Sequence, residues 1–248
     1  MMTARLMRYC GVVGAVVLAA ACTGHHVDPA TLAPDVLFSR ADSLYQAHEY
    51  GKAIPLLDAF VQNHLGDPRA PQAEFMLGKS YAARHDYLTA ATHYQRLVSG
   101  FPGSAYDVQA RFGLCDSYQH LSPEPALDQE YTHSALIHCQ SVAENFPGTP
   151  EAEQAAKYVV EMREKLAEKL FNTGIFYVKR RAYDAAVVYL RSVVVQFPNT
   201  TSAPKALKQL AETYSKMGYV EDAQAARDQL LKEYPQSGEA QAMRPVGH

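Results

Sequence analysis

Tryptophan is absent, cysteine occurs only four times in 248 residues, and neither sign of charge dominates, with 23 basic against 26 acidic side chains. The missing basic surplus argues against a nucleic-acid binder, which needs cations to replace the counterions around phosphate. Four scattered cysteines are too few to frame a disulfide-held miniprotein. Long hydrophobic runs are scarce too. The mean hydropathy is −0.23, and the one apolar stretch, Gly11 to Ala21, falls well short of the roughly 20 residues that span a bilayer. Disorder throughout is excluded by 48% hydrophobic and only 20% charged residues. Catalytic motifs are missing as well: no phosphate loop, no GxSxG elbow and no HExxH pair occurs. The ten histidines keep no ligand spacing, and the adjacent His25 and His26 are two donors on a polar arm. The expectation is a non-enzymatic, mildly acidic protein of one large domain or two small ones, with no cofactor, no metal and no nucleic-acid partner.

What is present begins with an address. Arg5 and Arg8 precede the apolar stretch, and Cys22 directly follows Ala19, Ala20 and Ala21. A basic segment, a short apolar core and a small-residue site read as a secretory signal over 1–21. The cysteine makes the site resemble a bacterial lipobox, with Leu18 one place earlier than usual; ordinary cleavage near Ala21 is the alternative. Acylation at Cys22 would anchor the chain, since each buried CH₂ contributes about 0.8 kcal/mol. Thr23 in place of aspartate favours outer-membrane delivery, by resemblance to enterobacterial lipoproteins. Residues 22–34, rich in proline and without hydrophobic period, read as a tether.

The remainder repeats. FPGS at Phe101, FPGT at Phe146, FPNT at Phe197 and YPQS at Tyr234 stand 45, 51 and 37 residues apart. Aromatic, proline, a small or polar residue, then Ser or Thr describes a helix stop, a turn and the next N-cap. Tyr50 and Tyr87, Ala53 and Ala90, Tyr81 and Tyr118, and Tyr177 and Tyr214 keep the 37-residue step. Within a unit Gly78, Tyr81, Ala90, Tyr94 and Leu97 recur at helical spacing, and Gly174, Tyr177, Ala186 and Leu190 repeat them. Small residues on facing helices let the backbones approach. This resembles the tetratricopeptide repeat, and the fold expected is an all-α solenoid of about five helix hairpins, near 35–66, 71–103, 105–148, 151–199 and 203–237. The third unit carries eight extra residues around LSPEPALDQE, where prolines forbid a continued helix. The fourth carries fourteen with no breaker, close to four helical turns, which predicts one long fused helix over about 151–181. The expected division is a three-repeat half, 35–148, a two-repeat half, 149–240, and a disordered tail, 241–248.

Three sets of residues stand out. Cys115 and Cys139 fall on the two helices of the third unit, in the columns of Gly78 and Tyr94. Those columns look about one turn out of step, which favours two buried thiols, while the eight-residue insertion leaves a disulfide open. Phe38, Phe75 and Phe112 are spaced 37 apart, and Phe171 holds the same place in the fourth unit. This ladder either lines a peptide groove or packs between neighbouring helices. Lys179, Arg180 and Arg181 close the long helix, as complements of its dipole or as interface residues.

The lipobox, the proline-containing tether, the LDQEYTHSA insertion and the stretch NTGIFYVKRRAYDAAVVYLRSVVVQFPNT together resemble the BamD (ComL) family. These are tetratricopeptide lipoproteins of the outer-membrane β-barrel assembly machinery. The resemblance implies a protein held by lipid on the periplasmic face of the outer membrane. Its C-terminal repeats would dock a barrel-forming BamA-type subunit, with Tyr177, Arg180, Arg181, Tyr183 and Arg191 as docking candidates. Its N-terminal repeats would receive targeting segments of unfolded outer-membrane proteins, which commonly end in an aromatic residue. The alternative is another periplasmic repeat scaffold serving Tol–Pal, division or polysaccharide export.

Overall fold

The structure, a computed structural model, describes residues 29–244. The signal segment, Cys22, His25, His26 and the last four residues lie outside the described residues. Five antiparallel helix hairpins follow one another: α1 (Pro34–Gln46) with α2 (Tyr50–Asn63), α3 (Ala70–Ala83) with α4 (Tyr87–Gly100), α5 (Asp107–Leu121) with α6 (Glu130–Asn145), α7 (Pro150–Lys179) with α8 (Tyr183–Gln196), and α9 (Ser202–Met217) with α10 (Val220–Glu233). A short α11 (Gly238–Met243) ends the series, and no strand occurs among the described residues. The fold is a tetratricopeptide solenoid. None of the described helices is long and apolar enough to cross a membrane.

The aromatic-proline motifs stop helices as the repeat predicts. Phe101, Phe146, Phe197 and Tyr234 are the C-caps of α4, α6, α8 and α10, and a following proline cannot extend the ladder of hydrogen bonds. The serine or threonine that ends each motif does two different jobs. Thr149 and Ser237 cap α7 and α11 by accepting from Ala152 N–H and Ala240 N–H. Thr149, Thr200 and Ser237 all donate to the carbonyl of the motif's aromatic residue, at 2.8, 2.7 and 2.9 Å, but Thr200 caps no helix and Ser104 Oγ is buried without a partner, because α5 and α9 begin further along the chain. Inside the hairpins the chain turns through a left-handed residue: His48 (φ 58), His85 (φ 63), Arg181 (φ 59) and Gly218 (φ 81). The third hairpin turns through residues 122–129 instead.

The second and fourth hairpins close on a glycine. A Cβ at Gly78 or Gly113 would lie 2.5 Å from the Tyr94 ring, and one at Gly174 would lie 2.8 Å from Leu190. The columns of Gly78 and Tyr94, and of Gly174 and Leu190, therefore face each other. Cys115 and Cys139 occupy that same facing pair in the third hairpin, and the structure joins them in a disulfide with their Cα atoms 4.8 Å apart. The expectation of two free thiols is corrected here. The columns are in step, and the eight extra residues loop out without disturbing the contact.

The long helix runs 30 residues, roughly 45 Å at 1.5 Å per residue. Its packing does not respect a boundary at 149. Ala155, Tyr158 and Val159 join Cys115, Cys139 and Val142 of the third hairpin. Leu166, Ala167, Leu170 and Phe171 join the core built on Leu190, Val193, Leu207 and Leu230. Both ends of the described chain are also more ordered than expected. Pro29–Thr31 form a 3-10 turn and Leu32 packs into the first core, because an apolar side chain next to an open hairpin end gains by burial. Residues 241–243, expected in a tail, belong to α11, whose Ala240 is fully buried.

Candidate functional site

The phenylalanine column divides. Phe38 is a core residue, 8% exposed, with its ring 5.1 Å from Phe60. The Arg69 guanidinium covers both rings, at 5.1 and 5.4 Å from their centroids. Arg69 is itself held by Asp67 at 2.7 Å and Asp35 at 2.9 Å, so the first rung is closed by a paired cation. Phe171 is half-buried against the C-terminal core. For these two positions the packing alternative describes the structure.

Phe75 and Phe112 do come together. Both line one groove of about 350 Å³ between α3, α4, α5 and the start of α7, with Tyr94 and Gly113 as further lining and Lys79, Asp116 and Glu151 among the polar residues. The Phe75 ring stacks on Tyr106 at 5.1 Å and tilts against Tyr94 at 6.2 Å. Phe112 lies parallel to Tyr158 at 6.2 Å, and the Tyr158 hydroxyl donates to Asp116 Oδ1 at 3.0 Å. Burial, with the Asp116 charge second, pushes the Tyr158 hydroxyl above its usual range. Burial does the same, more strongly, to Tyr94. These phenols stay neutral, and the groove offers aromatic faces framed by a lysine and two carboxylates. Such a surface binds by ring contact and shape. Among the described residues no group of three or more potential metal ligands is assembled.

The docking candidates are also separated by the fold. Tyr177 is half-buried, stacked on Tyr189 at 5.4 Å with a 10° interplanar angle. Arg180 turns back over Phe176, 4.4 Å from the ring centroid. Arg181 occupies the left-handed turn position and Tyr183 opens α8. Arg191 lies eight residues along α8, roughly 12 Å away. It lines a smaller groove, about 230 Å³, with Leu207, Leu210, Tyr214 and Asp222. The α7–α8 turn and the α8–α10 groove are thus two places. Phe176, 48% exposed, is the residue the sequence reading missed; its i, i+4 relation to Arg180 was the available signal.

With this geometry in view, the comparisons with known proteins are consistent. The YfiO family model, described as an outer membrane lipoprotein, matches residues 31–231. Outer membrane protein assembly factor BamD of Rickettsia prowazekii is 25% identical over 201 residues, 81% of this chain and 80% of that protein. BamD of Vibrio cholerae is 23% identical over 218 residues, 82% of this chain and 88% of that protein. A solved tetratricopeptide repeat protein from Parabacteroides merdae superposes loosely, with a TM-score of 0.40 and 15% identity over 84% of this chain and 82% of that one. The match of the family model from the 3-10 turn to α10 spans all five hairpins, and the chain belongs to the BamD-type YfiO family of outer membrane lipoproteins.

Proposed function

We propose that this protein is a non-catalytic subunit of the outer-membrane β-barrel assembly complex, lipid-anchored through Cys22 on the periplasmic face. Its C-terminal hairpins dock a barrel-forming BamA-type subunit, with Phe176, Arg180, Arg181 and Tyr183 as the turn-borne contacts and Tyr177 and Arg191 as their neighbours. Its N-terminal hairpins receive segments of unfolded outer-membrane proteins. The observation that carries this reading is the groove where Phe75 and Phe112 meet, in a chain whose relatives are named assembly factors over most of their length. Aromatic walls give affinity to an extended segment ending in an aromatic residue without demanding one sequence.

Detergent-solubilised, acylated protein is the material for the test, with mass spectrometry of what co-elutes. Recovery of a large barrel protein with repeated periplasmic domains is expected, and Arg180→Glu should lower it. Recovery of division, Tol–Pal or export proteins alone would overturn the reading. For the groove, Phe75→Ala should weaken binding of a peptide ending in phenylalanine by about tenfold, in line with loss of an aromatic anchor. Unchanged binding would reject the groove as the receiving site.

A further inference from the structure

The third hairpin carries more chain than its repeat needs. The other hairpins turn in two or three residues, at 47–49, 84–86, 180–182 and 218–219, whereas this one uses eight, at 122–129. The extra loop is held in place from inside and from outside. The buried Gln129 side chain donates to the carbonyls of Glu124 and Leu127 at 2.8 and 3.0 Å and accepts from Thr132 at 2.7 Å. From α7, Lys165 donates to Ser122 Oγ at 2.8 Å, and Lys169 to the carbonyls of Ala126 and Leu127 at 2.8 and 3.1 Å. Just before Lys165 on the same helix, Arg163 and Glu164 fix the far side, by donating to the Gln196 carbonyl at 3.0 Å and accepting from Thr201 N–H at 2.9 Å.

Between these two sets of hydrogen bonds lies a pocket of about 500 Å³. Leu166, Leu170 and Phe197 supply apolar lining, and Leu127, 59% exposed, stands at its edge. Asp128 and Glu130 are exposed on the same wall, and neither is in an ion pair among the described residues. The Lys169 ammonium is committed to the loop carbonyls, and His133 is the remaining titratable lining group. The buried amide of Gln129 is already satisfied by the loop itself, so nothing convergent is left to orient a small polar ligand. What is left is an apolar pocket with two carboxylates on its loop wall, Asp128 and Glu130, and the single Lys169 cation on its α7 wall.

We propose that this pocket, distinct from the Phe75–Phe112 groove, docks a short extended segment of a partner protein that carries a large apolar side chain next to a lysine or arginine. The apolar side chain enters between Leu166, Leu170 and Phe197, and the cation meets Asp128 and Glu130. The pocket is pre-formed, because its loop wall is tied to α7 before anything binds, which lowers the ordering cost of association. Its position on the long helix, shared by both sets of hairpins, is independent of whether the groove receives unfolded proteins.

The test uses the mature chain with its disulfide intact and a capped, fluorescein-labelled hexapeptide, Gly-Ser-Phe-Arg-Gly-Ser, followed by fluorescence anisotropy. The peptide should bind at least about fivefold more tightly than its counterpart with glutamate in place of arginine, the ratio one exposed charge pair supports. The paired substitution Asp128→Lys and Glu130→Lys should remove or reverse that preference, and Leu127→Ser should weaken both peptides; all three sites are exposed, so the melting temperature serves as the folding control. Equal binding of the two peptides, or a preference that survives the charge reversal, would overturn the proposal. So would absence of binding at about 1 mM peptide, the weak limit of specific recognition. A dimer in analytical ultracentrifugation that Leu127→Ser abolishes would overturn it also, by assigning the pocket to a second copy.

Discussion

The second and fourth hairpins are built on one frame and filled differently. At the facing columns α3 and α4 set Gly78 against Tyr94, while α7 and α8 set Gly174 against Leu190. The tyrosine reaches further. Its ring lies against Gly78 and also against Gly113 of the next hairpin, and it forms part of the groove lining beside Phe75 and Phe112. The leucine ends in a closed aliphatic core with Val193, Leu207 and Leu230. The C-terminal hairpins keep their exposed aromatic rings at turns, as at Phe176 and Tyr219. The repeat thus dictates where a large side chain must go, and the choice of that side chain decides whether the hairpin presents a groove or a sealed core.

Replacing the two large residues tests that contrast most strongly. Tyr94→Ala should cost about 4 kcal/mol, and Leu190→Ala about 3 kcal/mol, by the usual cost of emptying an aromatic or an aliphatic site. Urea denaturation of both variants measures it, and a larger loss at Leu190 would break the comparison. The third hairpin replaces the small–large pair by a covalent bond across 24 residues of sequence. Changing Cys115 and Cys139 together to alanine should cost about 3 kcal/mol through the freed unfolded chain. Loss well below that would mean that α7 alone holds the hairpin closed.

The turns differ in a smaller way. Arg181 takes the left-handed conformation that Gly218 takes one repeat later, and a side chain there costs about 1 kcal/mol. Arg181→Gly should therefore raise the melting temperature slightly while removing a candidate docking charge, so stability and partner recovery should move in opposite directions. The smallest effect belongs to Asp67, where the first hairpin ends without an aromatic-proline motif. The Arg69 side chain, with its backbone N–H second, holds the Asp67 carboxyl down at about 2. A depressed carboxylate stabilises above its unfolded value, near 4, and the contribution is lost as pH falls through the folded value. The acid limb of a pH–stability curve should flatten between those values in Asp67→Asn, and an unchanged limb would remove the turn from the account.

The repeat period, the helix stops and the long helix were legible because they rest on local chemistry. A proline cannot continue a helix, and fourteen breaker-free residues extend one. The site was legible only in part. Phe38, Phe75, Phe112 and Phe171 are alike in sequence, yet they differ in what stands opposite: Arg69 and Phe60 at the first, Tyr106 and Tyr158 beside the second and third, a leucine-rich core at the last. Those neighbours come partly from the same hairpin, as Phe60 does for Phe38, and partly from the next, as Tyr158 does for Phe112, at separations that periodicity does not encode. The docking candidates were grouped by proximity in the chain, and eight residues of helix were enough to place Arg191 in another groove.

By itself, then, the sequence determined the fold class, the number of hairpins and the family, all of which follow from residue spacing along one chain. The tertiary structure alone decided that Cys115 meets Cys139, that two of the four phenylalanines share a groove, and that the eight-residue loop walls a pocket against α7. The physical reason is the same in each case: burial and contact depend on which side chains the facing helices bring up, and a one-dimensional pattern specifies a face without specifying what it meets.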